Sequence, residues 1–166
     1  MKVKVYDRLD RLTMPFARAK RGDVGHDLFS VILKSNMTWL ERVIFWIYPK
    51  TSFIILWPNQ VRSVHSGLHL DMPQSVWCEV LARSSAARRK LHVIGGIIDS
   101  GYNGELFTVL HNMAWTPRII REGERYSQVI FHRAIRPEIM PITEEVFLDV
   151  LAGSDRGLSG FGSTGK

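Results

Sequence analysis

Cysteine is almost missing from this chain of 166 residues, where Cys78 stands alone. One thiol cannot build an intrachain disulfide framework, and the scarcity fits a reducing compartment. It also excludes a zinc site made from paired cysteines, as zinc deaminases use. Histidine does not fill that gap. Among six histidines, His65 and His69 form the one i, i+4 pair. They fall in a strand-like stretch, where that spacing shares a face without making a chelate, so they read as structural or surface residues. The opening Met1-Lys2-Val3-Lys4-Val5 has no apolar run, so no secretory leader is expected. No stretch approaches the roughly 20 apolar residues of a membrane span. Internal repeats are absent as well.

What remains is an ordinary globular composition, 45% hydrophobic and 23% charged. The formal net charge of +6 suits a polyanionic partner, either a nucleoside triphosphate or a nucleic acid. Arg88-Arg89-Lys90, near Arg83, is a weak nucleic-acid signal. No DNA- or RNA-binding motif accompanies it, so stable nucleic-acid binding is not expected. The scarcity of cysteine points to an intracellular, cytoplasmic setting, with a nucleus or a host cell as further options.

Strand periodicity dominates. Val3, Val5 and Leu9 alternate with Lys2 and Lys4, and residues 27–33, 61–65, 67–71, 76–81, 92–98, 106–110, 117–120 and 126–131 read as further strands. Gly95-Gly96 is a hairpin-turn candidate, and residues 121–124 are a turn. Gly and Pro punctuation every 8–12 residues predicts an all-β barrel or sandwich. Residues 34–57 break the pattern. Thr38 and Glu41 have capping-box spacing, Leu40, Val43, Ile44 and Ile47 recur at helical spacing, and Pro49 stops the run, which predicts a helix over 39–47. Trp39, Trp46, Tyr48 and Trp57 crowd this segment, either packed on the sheet or a subunit interface, or exposed as a docking surface for a protein partner.

Several stretches could carry chemistry. The end of the chain, Asp155 to Lys166, combines four glycines with Arg156, Phe161, Ser163 and Thr164. Glycine lets backbone N–H groups approach phosphate, the hydroxyls and guanidinium add donors, and Phe161 could stack on a base. A Gly/Ser-rich terminus with no ligand has the same composition. Asp99 follows Ile97-Ile98 and precedes a glycine-rich loop, where a carboxylate can act as general base toward water or simply cap a turn. Arg83-Ser84-Ser85 offers phosphate donors or an ordinary polar turn. Arg125 and Gln128 lie three apart, on opposite faces of a regular strand, so only a bend would bring both to one site. Asp27 could hold a water of hydrated Mg²⁺.

In order along the chain, Gly25-His26-Asp27-Leu28, Ala82-Arg83-Ser84-Ser85, Gly96 through Glu105, Gly123 through Gln128, and Arg156 through Gly165 resemble the five motifs of the homotrimeric dUTPases. The resemblance spans nearly the whole chain, and the third and fifth motifs are the specific ones. It implies an all-β, jelly-roll-like β-barrel over residues 1–150 with a short helical insertion at about 34–57. A flexible segment, 151–166, would close the site of a neighbouring subunit in a homotrimer. It implies hydrolysis of dUTP to dUMP and pyrophosphate with Mg²⁺, which keeps uracil out of DNA and supplies dUMP for dTMP synthesis. Asp99 would deprotonate the attacking water. Tyr102 would pack on the deoxyribose, and backbone groups between Val93 and Gly96 would read uracil. Arg83, Ser84, Ser85, Gln128, Arg156, Gly162, Ser163 and Thr164 would hold the substrate, Phe161 would cover the base, and Asp27 would act on the metal through water.

The chain departs from that pattern at Ser85, where a glycine is usual and where the related dCTP deaminases carry the same residue. The segment between Ser85 and Asp99 is shorter than in many dUTPases, and Leu158 and Ser159 alter the fifth motif. A dCTP deaminase is the alternative within the superfamily, but it needs a glutamate where this chain has Val109. A regulatory protein acting through the aromatic insertion is the alternative from another class.

Overall fold

The computed structural model describes residues 2–8, 22–49, 52–155 and 157. Leu9 and most of the irregular stretch after it lie outside the described residues. Alternating apolar side chains produce the strands β1 (Lys4–Asp7), β2 (His26–Phe29), β3 (Phe53–Leu56), β4 (Val61–Asp71), β5 (Val76–Ala82), β6 (Leu91–Val93), β7 (Ile97–Ile98), β8 (Glu105–Asn112), β9 (Arg118–Arg121) and β10 (Arg125–Arg133). Along β8 each second residue is buried, the mark of a strand with one face on a core. Three α-helices are present among the described residues: α1 (Trp39–Ile47), α2 (Ser84–Arg88) and α3 (Glu144–Ala152).

One four-stranded sheet has the order β1-β4-β8-β6 and a second the order β2-β10-β5-β7, with β3 and β9 as a separate ribbon. All pairings between these strands are antiparallel, the jelly-roll-like arrangement expected from the sequence. The core takes Leu28, Val80 and Val129 from one sheet, Val64, Leu68, Leu106 and Leu110 from the other, and Ile54, Leu56 and Ile120 from the ribbon. Each large aliphatic side chain buried here contributes about 1.5–3 kcal/mol relative to exposure. The compact unit Met1–Ala134 holds both sheets; a second unit, Ile135–Lys166, contains α3, capped by Thr143. Residue 150, where the sequence reading ends the β core, lies within α3.

Two places differ from the sequence reading. The stretches 61–65 and 67–71 form one strand, because a bulge with Gly67 at φ +73° absorbs the irregularity without breaking the chain's course. Gly95-Gly96 is not a hairpin turn. β6 pairs with β8 and β7 pairs with β5, so these residues cross from one sheet to the other. Gly95 makes the crossing possible, since a Cβ there would overlap the Val80 carbonyl on β5. Residues 121–124 form the turn read from the sequence, closed by the Glu124 N–H donating to the Arg121 carbonyl at 3.2 Å, and it leads from β9, paired with β3, to β10, paired with β2 and β5.

The helix over 39–47 forms as the sequence predicts, while 53–56, read within the same irregular segment, is the strand β3. Thr38 and Glu41 make both reciprocal capping-box bonds of α1. Glu41 does more than cap. It is 1% exposed and accepts from Arg62 Nη1 (2.7 Å) and from the Ile55 N–H, so it ties α1 to β3 and β4. Burial raises its pKa, but bonds from Arg62 and from the Ile55 and Thr38 amides outweigh that, and the carboxyl is held below its ordinary range. The segment is therefore part of the fold, while Trp39, Trp46 and Tyr48 remain exposed.

Candidate functional site

β2, the end of β5 and β10 meet around a cavity of about 390 Å³, lined by Asp23, Val24, Gly25, Asp27, Arg83, Ser84, Gln128 and Ile130. Asp27 is its organising charge. The carboxylate is buried and receives Arg83 Nε at 2.7 Å on one oxygen and Arg125 Nη1 at 3.0 Å on the other. It aligns two guanidinium groups whose remaining N–H donors can serve an anion. Arg125 also lies over the Phe29 ring, 5.5 Å from its centre.

Arg125 and Gln128 do reach the same region, and the reason is a bend. The pairing of β10 with β2 slips between Arg125 and Ser127, and that bulge re-aims the side chains. Gln128 lies against the backbone of Gly25, where any Cβ would overlap its side-chain oxygen, and it donates to the Ala82 carbonyl at 3.4 Å. Gly25 is thus a site residue for a steric reason.

Arg83-Ser84-Ser85 is not a plain turn: Ser84 opens α2, helped by the helix formers Ala86 and Ala87. Ser85 does not line the cavity but faces the Arg125 carbonyl, 3.4 Å from its hydroxyl. Arg89 anchors α2. It donates to Tyr126 Oη (2.6 Å), Glu124 Oε1 (3.2 Å) and the Ile119 carbonyl (2.8 Å), so this member of the basic run is consumed inside the fold. Burial and the bond it donates to Glu124 push the Tyr126 phenol upward. Burial raises Glu124 too, yet Tyr126, the Arg121 amide and the Arg89 charge bring it below its ordinary value.

The third stretch lies elsewhere. Asp99 and Tyr102 are exposed and, with Val93 and Gly96, do not line the cavity. Ile98 stands opposite Cys78 on β5, so Asp99 lies toward Trp77, while Arg83 follows the far end of that strand. Six residues of strand separate those positions, roughly 20 Å at 3.3 Å per residue. Arg156, Phe161, Gly162, Ser163 and Thr164 lie outside the described residues.

Among the described residues no group of three or more His, Cys, Asp or Glu could hold a metal ion. An ion held by protein ligands alone does not fit. A hydrated Mg²⁺ carried by a polyphosphate does, because it keeps several waters and needs only one or two carboxylates, and Asp23 and Asp27 line the cavity. Cys78 takes no part: it is buried, and burial pushes its thiol up to about 12.

The fold and the cavity define a jelly-roll-like β protein with a polar pocket suited to phosphate. The dUTPase family model matches residues 36–165, and the chain belongs to that family. The deoxyuridine 5'-triphosphate nucleotidohydrolase of Fowl adenovirus A serotype 1 is 32% identical over 95% of this chain and 75% of its own length. Among solved structures, a point mutant of the dUTPase of Staphylococcus bacteriophage 80alpha, with dUpNHpp, has TM-score 0.74 and 19% identity over 99% of both chains. A point mutant of the dUTPase from phage phi11 of S. aureus, described with a structural Mg(II) ion, has TM-score 0.68 and 18% identity over 87% of this chain and 98% of its own.

Proposed function

We propose that this chain hydrolyses dUTP to dUMP and pyrophosphate, as an intracellular homotrimer whose sites lie between subunits. The observation that carries the reading is the cavity in which Arg83, Ser84 and Gln128 surround a buried Asp27, in a member of the dUTPase family. Arg83 and Ser84 donate to the phosphates, and Gln128 fixes their position. Asp99, supplied by another subunit, takes a proton from water as the water oxygen bonds to the α-phosphorus. The bond from that phosphorus to the bridging oxygen breaks, and pyrophosphate leaves with the electron pair. When bound with the triphosphate, Mg²⁺ would supply neutralisation of phosphate charge, and Asp27 would hold it through water. Tyr102 packs on the deoxyribose, and the backbone of residues 93–96 meets the uracil. Arg156, Phe161, Gly162, Ser163 and Thr164 close the site, with Ser85 supporting it through β10.

The deaminase alternative needs a carboxylate at Val109. β8 contains one carboxylate, Glu105, and it is engaged by backbone amides and His65. Of the two readings of 34–57, packing against the sheet or a subunit interface and an exposed docking surface, the second draws support from Trp39 and Trp46, which are 78% and 83% exposed. The test of function is purified protein with Mg²⁺ and dUTP, dCTP, dTTP or UTP, followed for pyrophosphate and for altered base. Pyrophosphate from dUTP alone is expected. Deamination of dCTP, or no turnover of dUTP, would overturn the proposal.

A further inference from the structure

Between Asp99 and Glu105 the chain closes on itself. The Tyr102 N–H donates to the Asp99 carbonyl at 3.0 Å, and the Tyr102 hydroxyl donates to the Glu105 carbonyl at 2.9 Å. The phenol ring lies directly on Gly104. A Cβ at residue 104 would stand 2.5 Å from Tyr102 Cζ and Oη and 3.0 Å from Cε2, too close for the ring to stay. The loop is also pinned from outside, to the bulge in β4. The Glu105 carboxylate accepts the Gly67 N–H at 2.9 Å and the Ser66 N–H at 3.2 Å, and meets His65 Nδ1 at 3.1 Å. His69 Nδ1 meets the Asn103 carbonyl at 3.0 Å. Glu105 is only 10% exposed at its side chain, so these bonds are shielded from water.

We propose that Gly104 and Glu105 are positioning residues that fix the Tyr102 ring and so set the preference for deoxyribose over ribose. The inference rests on the dUTP reading above. Rejecting a substrate for one extra hydroxyl by contact alone works only against a wall that does not yield. Tyr102 is 41% exposed, so packing around it holds the ring only in part. Its stiffness comes from behind, from the close seat on Gly104 and from the phenol bond to a residue that is itself held at three points. Residue 104 must lack a Cβ for the ring to seat, and residue 105 must offer an acceptor to the bulge.

The test compares kcat/KM for dUTP and UTP in the full-length wild type, Gly104→Ala, Glu105→Ala and Glu105→Gln. In Gly104→Ala the ring is lifted off the loop into the space of the sugar, so KM for dUTP rises about tenfold with kcat changed less than about threefold, and the dUTP/UTP ratio falls. Glu105→Ala frees the loop and lowers the same ratio by letting UTP in. Glu105→Gln keeps an oxygen for the Ser66 and Gly67 amides and retains most of the discrimination. Equal losses on both substrates, or an unchanged ratio in both alanine variants while the wild type prefers dUTP, would overturn the positioning role and leave the dUTP reading standing. A wild type that does not prefer dUTP would overturn both.

Discussion

Replacing Asp27 by asparagine tests the organisation of the cavity. The carboxylate holds Arg83 Nε at 2.7 Å and Arg125 Nη1 at 3.0 Å, with its side chain 7% exposed and theirs 26% and 43% exposed. Asparagine can still accept from one guanidinium, but its NH₂ then faces the other, donor against donor. Removing one member of a fully buried pair costs about 3–5 kcal/mol, and partial solvation of both arginines reduces that to about 2–3 kcal/mol here. For a chain of this size each kcal/mol moves Tm by about 2–4 °C, so the melting temperature should fall by about 4–12 °C. The catalytic effect has a distinct signature. Loss of a negative charge makes the pocket more attractive to a polyanion while the arginines lose their alignment. Inorganic pyrophosphate should therefore inhibit Asp27→Asn more tightly than wild type, while kcat on dUTP falls and more Mg²⁺ is needed for half-maximal rate. Circular dichroism melts and steady-state pyrophosphate release measure both arms. A Tm within about 1 °C of wild type, with unchanged inhibition by pyrophosphate, would refute the claim that Asp27 aligns the two guanidinium groups.

Glu41 predicts an acid-side loss of stability. Its pKa lies lower in the fold than the ordinary 4.5, so its contribution is fully present above pH about 4.5 and is lost as pH falls through the folded value. The stability gap between wild type and Glu41→Gln, read from urea melts, should be wide at pH 7 and should narrow toward pH 3; a constant gap would count against it. Cys78, buried and with its thiol pushed up to about 12, should resist a disulfide exchange reagent at pH 8 and react promptly in denaturant. Prompt labelling of the native protein would show that β5 is open there.

Local signals are legible in the sequence, and long-range ones are not. Thr38 and Glu41 announce the start of α1 because a capping box lies within four consecutive residues. That the same Glu41 also receives Arg62 depends on β4 passing beside the helix, which no local pattern encodes. Gly95-Gly96 looks like a hairpin turn because two glycines suit one, but what decides the path is the Val80 carbonyl on a different strand. Arg125 and Gln128 belong to opposite faces of a regular strand; the bulge that unites them appears only in the pairing with β2. The helix α3 carries a readable signal that the strand periodicity obscures: Thr143 as cap, Glu144 and Glu145 in the first turn, and Val146, Phe147 and Val150 at helical spacing. Its glutamates fall outside the capping-box position, so the start of the helix is marked less sharply than that of α1.

The separation of Asp99 from Arg83 follows from topology and cannot be repaired by side-chain motion. β7 runs antiparallel to β5 with Ile98 opposite Cys78, so the chain leaves β7 toward Trp77 and away from Arg83. If both residues serve one reaction, they come from different copies of the chain, and complementation tests this directly. On the proposed reading, Asp99→Asn lacks the base and Arg83→Ala lacks a phosphate donor, so each variant alone, as the proposed homotrimer, should be nearly inactive. In randomly mixed trimers, a site that draws the two residues from different subunits is intact with probability about one half times one half, so about a quarter of wild-type activity should return after subunit exchange. A site within one chain could never be intact in such a mixture. Recovery near a quarter would place the reaction between subunits; persistent inactivity, with exchange verified by labelled subunits, would refute a site that draws Asp99 and Arg83 from different subunits.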